Sequence, residues 1–201
     1  MPEISSAMQI LVFWAAFGYL LGSVPFGVLL ARVFGLGNLR DIGSGNIGAT
    51  NVLRTGNKKA AFLTLLFDGG KGAVAVLLAR HFAGEDAVQL AGLMAFIGHC
   101  FPIWLRFKGG KGVATFFGIL LAWAWPIGLI AGATWLLVAA ITRYSSMSAL
   151  LAAGFTPVYM FVLGFHYGFV FGIVLALLIY ARHWANIQRL RAGTETKIGQ
   201  K

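Results

Sequence analysis

Charge is scarce in this sequence: 11% of its 201 residues are Asp, Glu, Lys or Arg, against about 25% in a soluble domain. A chain bathed in water on every side is excluded. Acidic residues are scarcer still, six against sixteen Lys and Arg, which leaves a formal charge of +10. Cys100 is the only cysteine, so neither an intramolecular disulfide nor a Cys-based metal cluster can form. Of the six carboxylates, only Asp41 and Glu195 fall in the long polar segments. Bound metal ions usually need more ligands than that, so no metal site and no other cofactor is expected. No basic residue precedes the first apolar run, which is also too long for the apolar region of a secretory signal. It reads as a permanent membrane span.

Apolar length is what the sequence has in quantity, with 59% hydrophobic residues. Segments at about 9–34, 60–79, 87–105, 147–164 and 165–181 each approach the ~20 residues of a crossing helix. The stretch 113–142 is too long for one crossing, since about 30 residues at 1.5 Å rise run roughly 45 Å through a ~30 Å core. Trp123, Trp125 and Pro126 near its middle fit a tight turn between two short spans. Charge parity supports the split. With two crossings there, Arg32, Arg40, Arg54, Lys58 and Lys59 share one side with Arg106, Lys108, Lys111 and Arg143. The tail residues Arg182, Arg189, Arg191, Lys197 and Lys201 fall on that side too, Arg80 alone lies opposite, and Lys71 falls within a span. The expected fold is therefore an all-α integral membrane protein, a bundle of seven transmembrane helices with the N-terminus outside and the C-terminus cytoplasmic. Residues 1–201 form a single polytopic domain, with cytoplasmic segments at about 35–59, 106–112 and 182–201.

The first cytoplasmic segment contains Asp41-Ile-Gly-Ser-Gly-Asn-Ile-Gly-Ala-Thr-Asn-Val-Leu-Arg54. Its Gly43, Gly45 and Gly48 spell a dinucleotide-binding fingerprint, but that motif needs a βαβ unit for which the chain has no room. What remains is an anion cradle: glycines turn N–H groups outward, Ser44, Asn46, Thr50 and Asn51 add neutral donors, and Arg54 adds a planar cationic fork. In the second segment, Lys108-Gly109-Gly110-Lys111-Gly112 opens a helix. It is not a P-loop, yet lysines beside free N–H groups at a helix N-terminus favour phosphate. His99, just before it, reads as a buried, hydrogen-bonded helix-end residue. In the tail, His183, Asn186 and Arg189 are spaced to share a helix face, a candidate proton-handling stripe, while Glu195 is read as pinning the tail to a basic loop. Asp68-Gly-Gly-Lys71-Gly72 repeats the Gly-Gly-Lys-Gly pattern within the second span, where an ion pair must either compensate itself or face a polar cavity. His81-Phe-Ala-Gly-Glu-Asp86 matches the His-x4-Asp pattern of acyltransferases of another fold. It belongs to an outer loop and is read as chance.

Taken together, Gly43 to Arg54, Gly98-His-x-Phe-Pro with Phe107 to Thr115, and His183-x-x-Asn-Ile-x-Arg-Leu190 with Gly193-x-Glu-x-Lys197 closely resemble the bacterial PlsY family. That family comprises acyl-phosphate:glycerol-3-phosphate acyltransferases. The resemblance runs along the whole chain, with three motifs in order. It implies transfer of a fatty acyl group from acyl phosphate to the 1-hydroxyl of glycerol 3-phosphate, giving lysophosphatidic acid and phosphate for phospholipid biosynthesis. By the same resemblance Ser44, Arg54, His183 and Asn186 are expected in catalysis. Gly43, Gly45, Asn46, Gly48, Thr50, Asn51, Lys108, Gly109, Gly110, Lys111, Gly112 and Ser146 are expected in substrate binding. The implied setting is the bacterial inner membrane with a cytoplasm-facing site. Membrane lipids and the enzyme that makes acyl phosphate are the implied partners, with no nucleic acid. An acyl phosphate is already activated, so no Ser or Cys acyl-enzyme is required. Either His183 or a substrate phosphate can serve as base. Two other classes compete: an organic-phosphate transporter, which should carry polar sites at the midplane in both halves, and a lipid-binding scaffold, which would not need Ser44, Asn46 and Asn186.

Overall fold

The computed structural model describes residues 2–200; Met1 and Lys201, the latter counted above with the basic tail, lie outside them. Among the described residues the protein is helical, without strands. The helices are α1 (Met8–Gly22), α2 (Phe26–Val33), α3 (Ala49–Leu53), α4 (Lys58–Phe82), α5 (Glu85–Cys100), α6 (Val113–Trp123), α7 (Trp125–Thr142), α8 (Ser145–Val162), α9 (Phe169–Arg182) and α10 (Trp184–Arg191). Five segments are long and apolar enough to cross a bilayer: Met8–Val33, Lys58–Phe82, Glu85–Leu105, Trp125–Thr142 and Ser145–Val162. A sixth is reached when His166–Arg182 is taken with Trp184–Arg191, two pieces bent by 63°. Helix α6 has only 11 residues, about 16 Å at 1.5 Å each.

The first apolar run is not one helix, as the sequence reading had it. It breaks at Ser23-Val24-Pro25, because proline has no N–H to continue the ladder. At the break Ser23 Oγ donates to the Tyr19 carbonyl at 2.7 Å beside the Ser23 amide, and the freed Val24 carbonyl accepts from Lys71 Nζ of α4 at 2.8 Å. The stretch 113–142 divides at Ala124, whose extended backbone separates α6 from α7, with Pro126 in the first turn of α7. There Arg80, alone on its side in the sequence reading, donates to the terminal carbonyls of α6 at Ala122 and Trp123, each at 2.7 Å.

Small residues bring the helices close. Gly18 and Gly22 of α1 rest on the backbone of Ala91 and Ala95 of α5, and Gly69 and Gly72 of α4 rest on the Ala114 and Thr115 carbonyls of α6. In a bilayer, where apolar contact with lipid is as good as contact with protein, such backbone approach supplies dispersion that larger side chains would block. The main core gathers Phe96, Phe116, Ile119, Leu120, Leu175 and Ile179 between α5, α6 and α9. A second, smaller core of Ala31, Leu39, Ile47, Val52 and Ala60 ties the loop after α2 to the first turn of α4. That small core fixes the polar loop over the end of the bundle.

Candidate functional site

The loop between α2 and α4 is organised around one buried amide. Asn51 Nδ2 donates to the carbonyls of Leu39 at 2.8 Å and Asn46 at 2.7 Å. Its Oδ1 accepts from Ser44 N at 3.1 Å, Ser44 Oγ at 3.3 Å and Arg54 Nη1 at 3.4 Å. Asn51 thus folds the loop, with no donor left over. Gly43 has a left-handed φ of 51°, and a Cβ there would strike the Arg54 side chain and Asn51 Oδ1; only glycine permits that packing. Arg54 is thereby clamped against the loop while its Nη2 reaches Thr196 Oγ1 in the tail.

The second segment is held by backbone bonds from both flanks. Gly109 N donates to the Cys100 carbonyl and Gly110 N to the His99 carbonyl, both at 3.1 Å. From the other side Arg182 Nε donates to the Gly110 carbonyl at 3.1 Å. Lys111, next in the chain, projects Nζ to Asn186 Oδ1 at 2.6 Å. Lys108 takes no part: its side chain is exposed and its carbonyl is capped by Arg40.

The tail closes the arrangement. The chain bends at His183, which stands between α9 and α10 rather than within a helix shared with Asn186, as the spacing had suggested. His183 Nδ1 lies 2.8 Å from the Ile179 carbonyl. Because a carbonyl can only accept, Nδ1 carries the proton and Nε2 keeps a free lone pair. Glu195 is the hub. Its Oε1 accepts from Ser146 Oγ and Asn186 Nδ2, both at 2.6 Å, and Oε2 accepts from Arg189 Nε at 2.7 Å. Glu195, the lone carboxylate in a basic tail, is expected to pin that tail; its partners Ser146, Asn186 and Arg189 are not evident from the sequence. Ser145, which meets Thr50 Oγ1 at 3.2 Å, and Arg182 were not anticipated.

Burial and crowded cations set the electrostatics. Lys111 is pushed down to about 8, first by burial and then by Arg189, Arg54 and Arg182, against the pull of Glu195. Burial lowers Arg54 as well. His183, one residue past the end of α9, falls to about 4 through burial and the nearby Lys111, so its ring is neutral at pH 7. Burial alone would raise Glu195, but the hydrogen bonds from Ser146, Asn186 and Arg189 outweigh it and hold the carboxyl below its usual range.

These groups surround one end of a cavity of about 530 Å³. Ser44, Asn46, Gly48, Thr50, Asn51, Arg54, Lys111, Gly112, Ser146, His183 and Asn186 all border it. Gly43, Gly45, Lys108, Gly109 and Gly110 do not; the glycines shape the segments behind its wall. Asp68, for which a polar cavity was one of two expected settings, borders it as well, and so does His99, expected only as a buried helix-end residue. Away from the charges the wall is apolar, built by Ala61, Phe62 and Leu65 of α4, Val113, Ala114 and Phe117 of α6, and Gly132, Trp135 and Leu136 of α7. Phe62, Leu65 and Leu136 are also exposed on the outer surface of the bundle. The cavity therefore joins a pole rich in cationic and polar side chains to an apolar slot that reaches the outer surface of the bundle.

Comparison with known proteins agrees with the geometry. Residues 12–193 match the family model for glycerol-3-phosphate acyltransferase. The glycerol-3-phosphate acyltransferase of Ruegeria pomeroyi is 63% identical over 201 residues, covering 100% of this chain and 99% of the relative. That of Jannaschia is 61% identical over 199 residues, covering 99% and 98%. Among solved structures, the crystal structure of PlsY, an integral membrane glycerol 3-phosphate acyltransferase, in its glycerol 3-phosphate form superposes with a TM-score of 0.89. It is 37% identical, over 94% of this chain and 96% of that one. The lysophosphatidic acid form gives 0.85 at 35% identity, over 94% and 95%. This chain is an integral membrane protein and belongs to the glycerol-3-phosphate acyltransferase family.

Proposed function

We propose that this protein transfers a fatty acyl group from acyl phosphate to the 1-hydroxyl of glycerol 3-phosphate, releasing lysophosphatidic acid and inorganic phosphate for phospholipid synthesis. One observation carries the reading: a single cavity has a pole of Arg54, Lys111, Asn186 and His183 and an apolar slot between α4, α6 and α7. Two phosphates fit the first and a hydrocarbon chain the second. In this reading Lys111, with the glycine segment before it, and Ser146 hold glycerol 3-phosphate. Arg54 and the Ser44–Thr50 loop hold the donor phosphate and face the oxyanion that develops at the acyl carbon. The protein sits in the bacterial inner membrane with seven crossings, α6 among them, its N-terminus outside and its site facing the cytoplasm.

The chemistry balances without a covalent enzyme intermediate. The glycerol hydroxyl oxygen attacks the acyl carbonyl carbon and forms the ester bond. The bond from that carbon to the phosphate oxygen breaks, and the hydroxyl proton ends on the departing phosphate. His183 Nε2, unprotonated and free, accepts the proton on the way. Direct attack is favoured because, among the described residues, no serine or cysteine is hydrogen-bonded to a histidine as an activated nucleophile would be. Lys111 and Arg54 offset the charge of two phosphates, and the slot orients the donor, so positioning and electrostatics carry most of the rate.

The test is a donor comparison. Purified protein in detergent receives labelled glycerol 3-phosphate with acyl phosphate, acyl-coenzyme A or an acyl-carrier thioester in turn. Lysophosphatidate is expected with acyl phosphate alone. Equal turnover of a thioester would overturn the donor assignment, and no acylated product with any donor would overturn the reading as a whole. Acyl phosphate is short-lived in water, so the enzyme that makes it is the expected functional partner.

A further inference from the structure

Asp68, Lys71 and His99 form a buried polar group at the cavity wall that the reaction above does not use. Lys71 Nζ lies 2.8 Å from Asp68 Oδ1, and His99 Nδ1 lies 3.6 Å from the same oxygen. All three are nearly inaccessible, at 2%, 4% and 5% exposure in the order Asp68, Lys71 and His99. A buried ion pair is weak evidence for stability, since well-packed apolar residues often replace one without loss. Within a membrane protein such a group marks function by default.

The surroundings say which function. Seen from the loop, the His99 ring is a floor: a Cβ on Gly110 would run into His99 Nε2, so only glycine can rest on it. The His99 and Cys100 carbonyls accept from the amides of Gly110 and Gly109, each at 3.1 Å. The Asp68 backbone carbonyl accepts from Thr115 Oγ1 at 2.9 Å, which ties α4 to the first turn of α6 just beyond the loop. Lys111 follows Gly110 directly, and its ammonium stands at the cationic pole. Lys71 meanwhile spends one donor on the Val24 carbonyl in the α1–α2 break and another on Asp68, whose charge it offsets.

We infer that Asp68 and His99 are positioning residues: the carboxylate fixes the imidazole, the imidazole supports Gly109–Gly110, and the loop so held sets where Lys111 meets the phosphate of glycerol 3-phosphate. The inference rests on the reading of that substrate given above. It predicts a selective defect. Disturbing the pair weakens recognition of glycerol 3-phosphate and leaves the acyl donor's slot, built from other residues, intact.

The experiment uses full-length protein reconstituted in liposomes and compares wild type with His99→Gln, His99→Leu and the double variant Asp68→Asn/Lys71→Met. The double variant leaves no uncompensated charge in the membrane and protects the test against simple misfolding. KM for each substrate, kcat and thermal midpoint are measured together. KM for glycerol 3-phosphate is expected to rise about ten- to a hundred-fold in His99→Leu and in the double variant, the scale of an ångström-sized misplacement. His99→Gln should be milder, and kcat and donor KM should stay within about threefold. Parallel loss in both KM values with a lowered midpoint would make the group merely structural and overturn the inference. So would unchanged constants, or a collapse of kcat at constant KM. Failure of the wild type to use glycerol 3-phosphate would instead strike the functional reading itself, so the two failures are told apart.

Discussion

Arg54 illustrates how much geometry a single residue carries. Its guanidinium bridges Asn51 in the first loop and Thr196 in the tail, and an ammonium cannot span two directions as a rigid fork does. Arg54→Lys is therefore expected to lower kcat/KM by about ten- to a hundred-fold, the loss of one charge-assisted hydrogen bond worth about 1.5–3 kcal/mol. Wild-type kinetics in that variant would reduce Arg54 to diffuse charge. Lys111 yields a pH effect with a defined sign. Its ammonium is present below about 8 and lost as pH rises through that value, so kcat/KM for glycerol 3-phosphate should fall above pH 8, since that ratio reports groups of the free enzyme. Lys111→Arg, permanently charged, should shift the fall out of range even if its turnover is lower. At this scale the sequence was readable for placement: Arg54, Lys111 and Asn186, singled out by residue type and spacing, all border one cavity. It was less readable for Asn51, which looks like a ligand donor but spends its whole amide on the loop. Asp68 and His99 reach the cavity only through helix packing that no local pattern encodes.

At the level of elements, the turn at Trp123–Pro126 was legible because excess length and a helix breaker coincide there. The break at Ser23–Pro25 was hidden, although Pro25 stood in view, because the apolar run continues through it and its freed carbonyl is answered by Lys71, 47 residues away. The bend of 63° after α9 likewise follows from no proline or glycine at the junction; it lets α10 turn Asn186 and Arg189 toward Glu195. Helix α7 offers the clearest element-level test. Gly132 borders the apolar slot, and a Cβ built there meets nothing within 4 Å, so a large side chain would fill the slot rather than break the fold. Gly132→Phe is expected to lower kcat/KM for a long-chain acyl phosphate by about tenfold or more relative to a short-chain one. KM for glycerol 3-phosphate should not move. Equal effects on both chain lengths would remove the acyl chain from this slot.

For the whole molecule, the proposed cytoplasmic orientation of the site rests on the distribution of Lys and Arg between the two ends of the bundle. Cysteines placed in a Cys100→Ser background at exposed Lys58, Lys108 and Thr194 should react with a membrane-impermeant reagent only after the cytoplasmic face is opened, and those at His81 and His166 in intact cells. Labelling of either group from the other side would overturn the proposed seven-crossing topology, in which the 11-residue α6 is the shortest crossing. In the proposed reaction a lipid-soluble donor entering along the slot meets a water-soluble acceptor entering at the charged pole. The most direct measurement of that event follows the oxygen atoms. Reconstituted protein is given glycerol 3-phosphate and an acyl phosphate carrying oxygen-18 at the bridging position, and the products are weighed by mass spectrometry. Attack by the glycerol hydroxyl on the acyl carbon should place all of the label in inorganic phosphate and none in lysophosphatidate. Label in the ester, or phosphate release without lysophosphatidate, would contradict it.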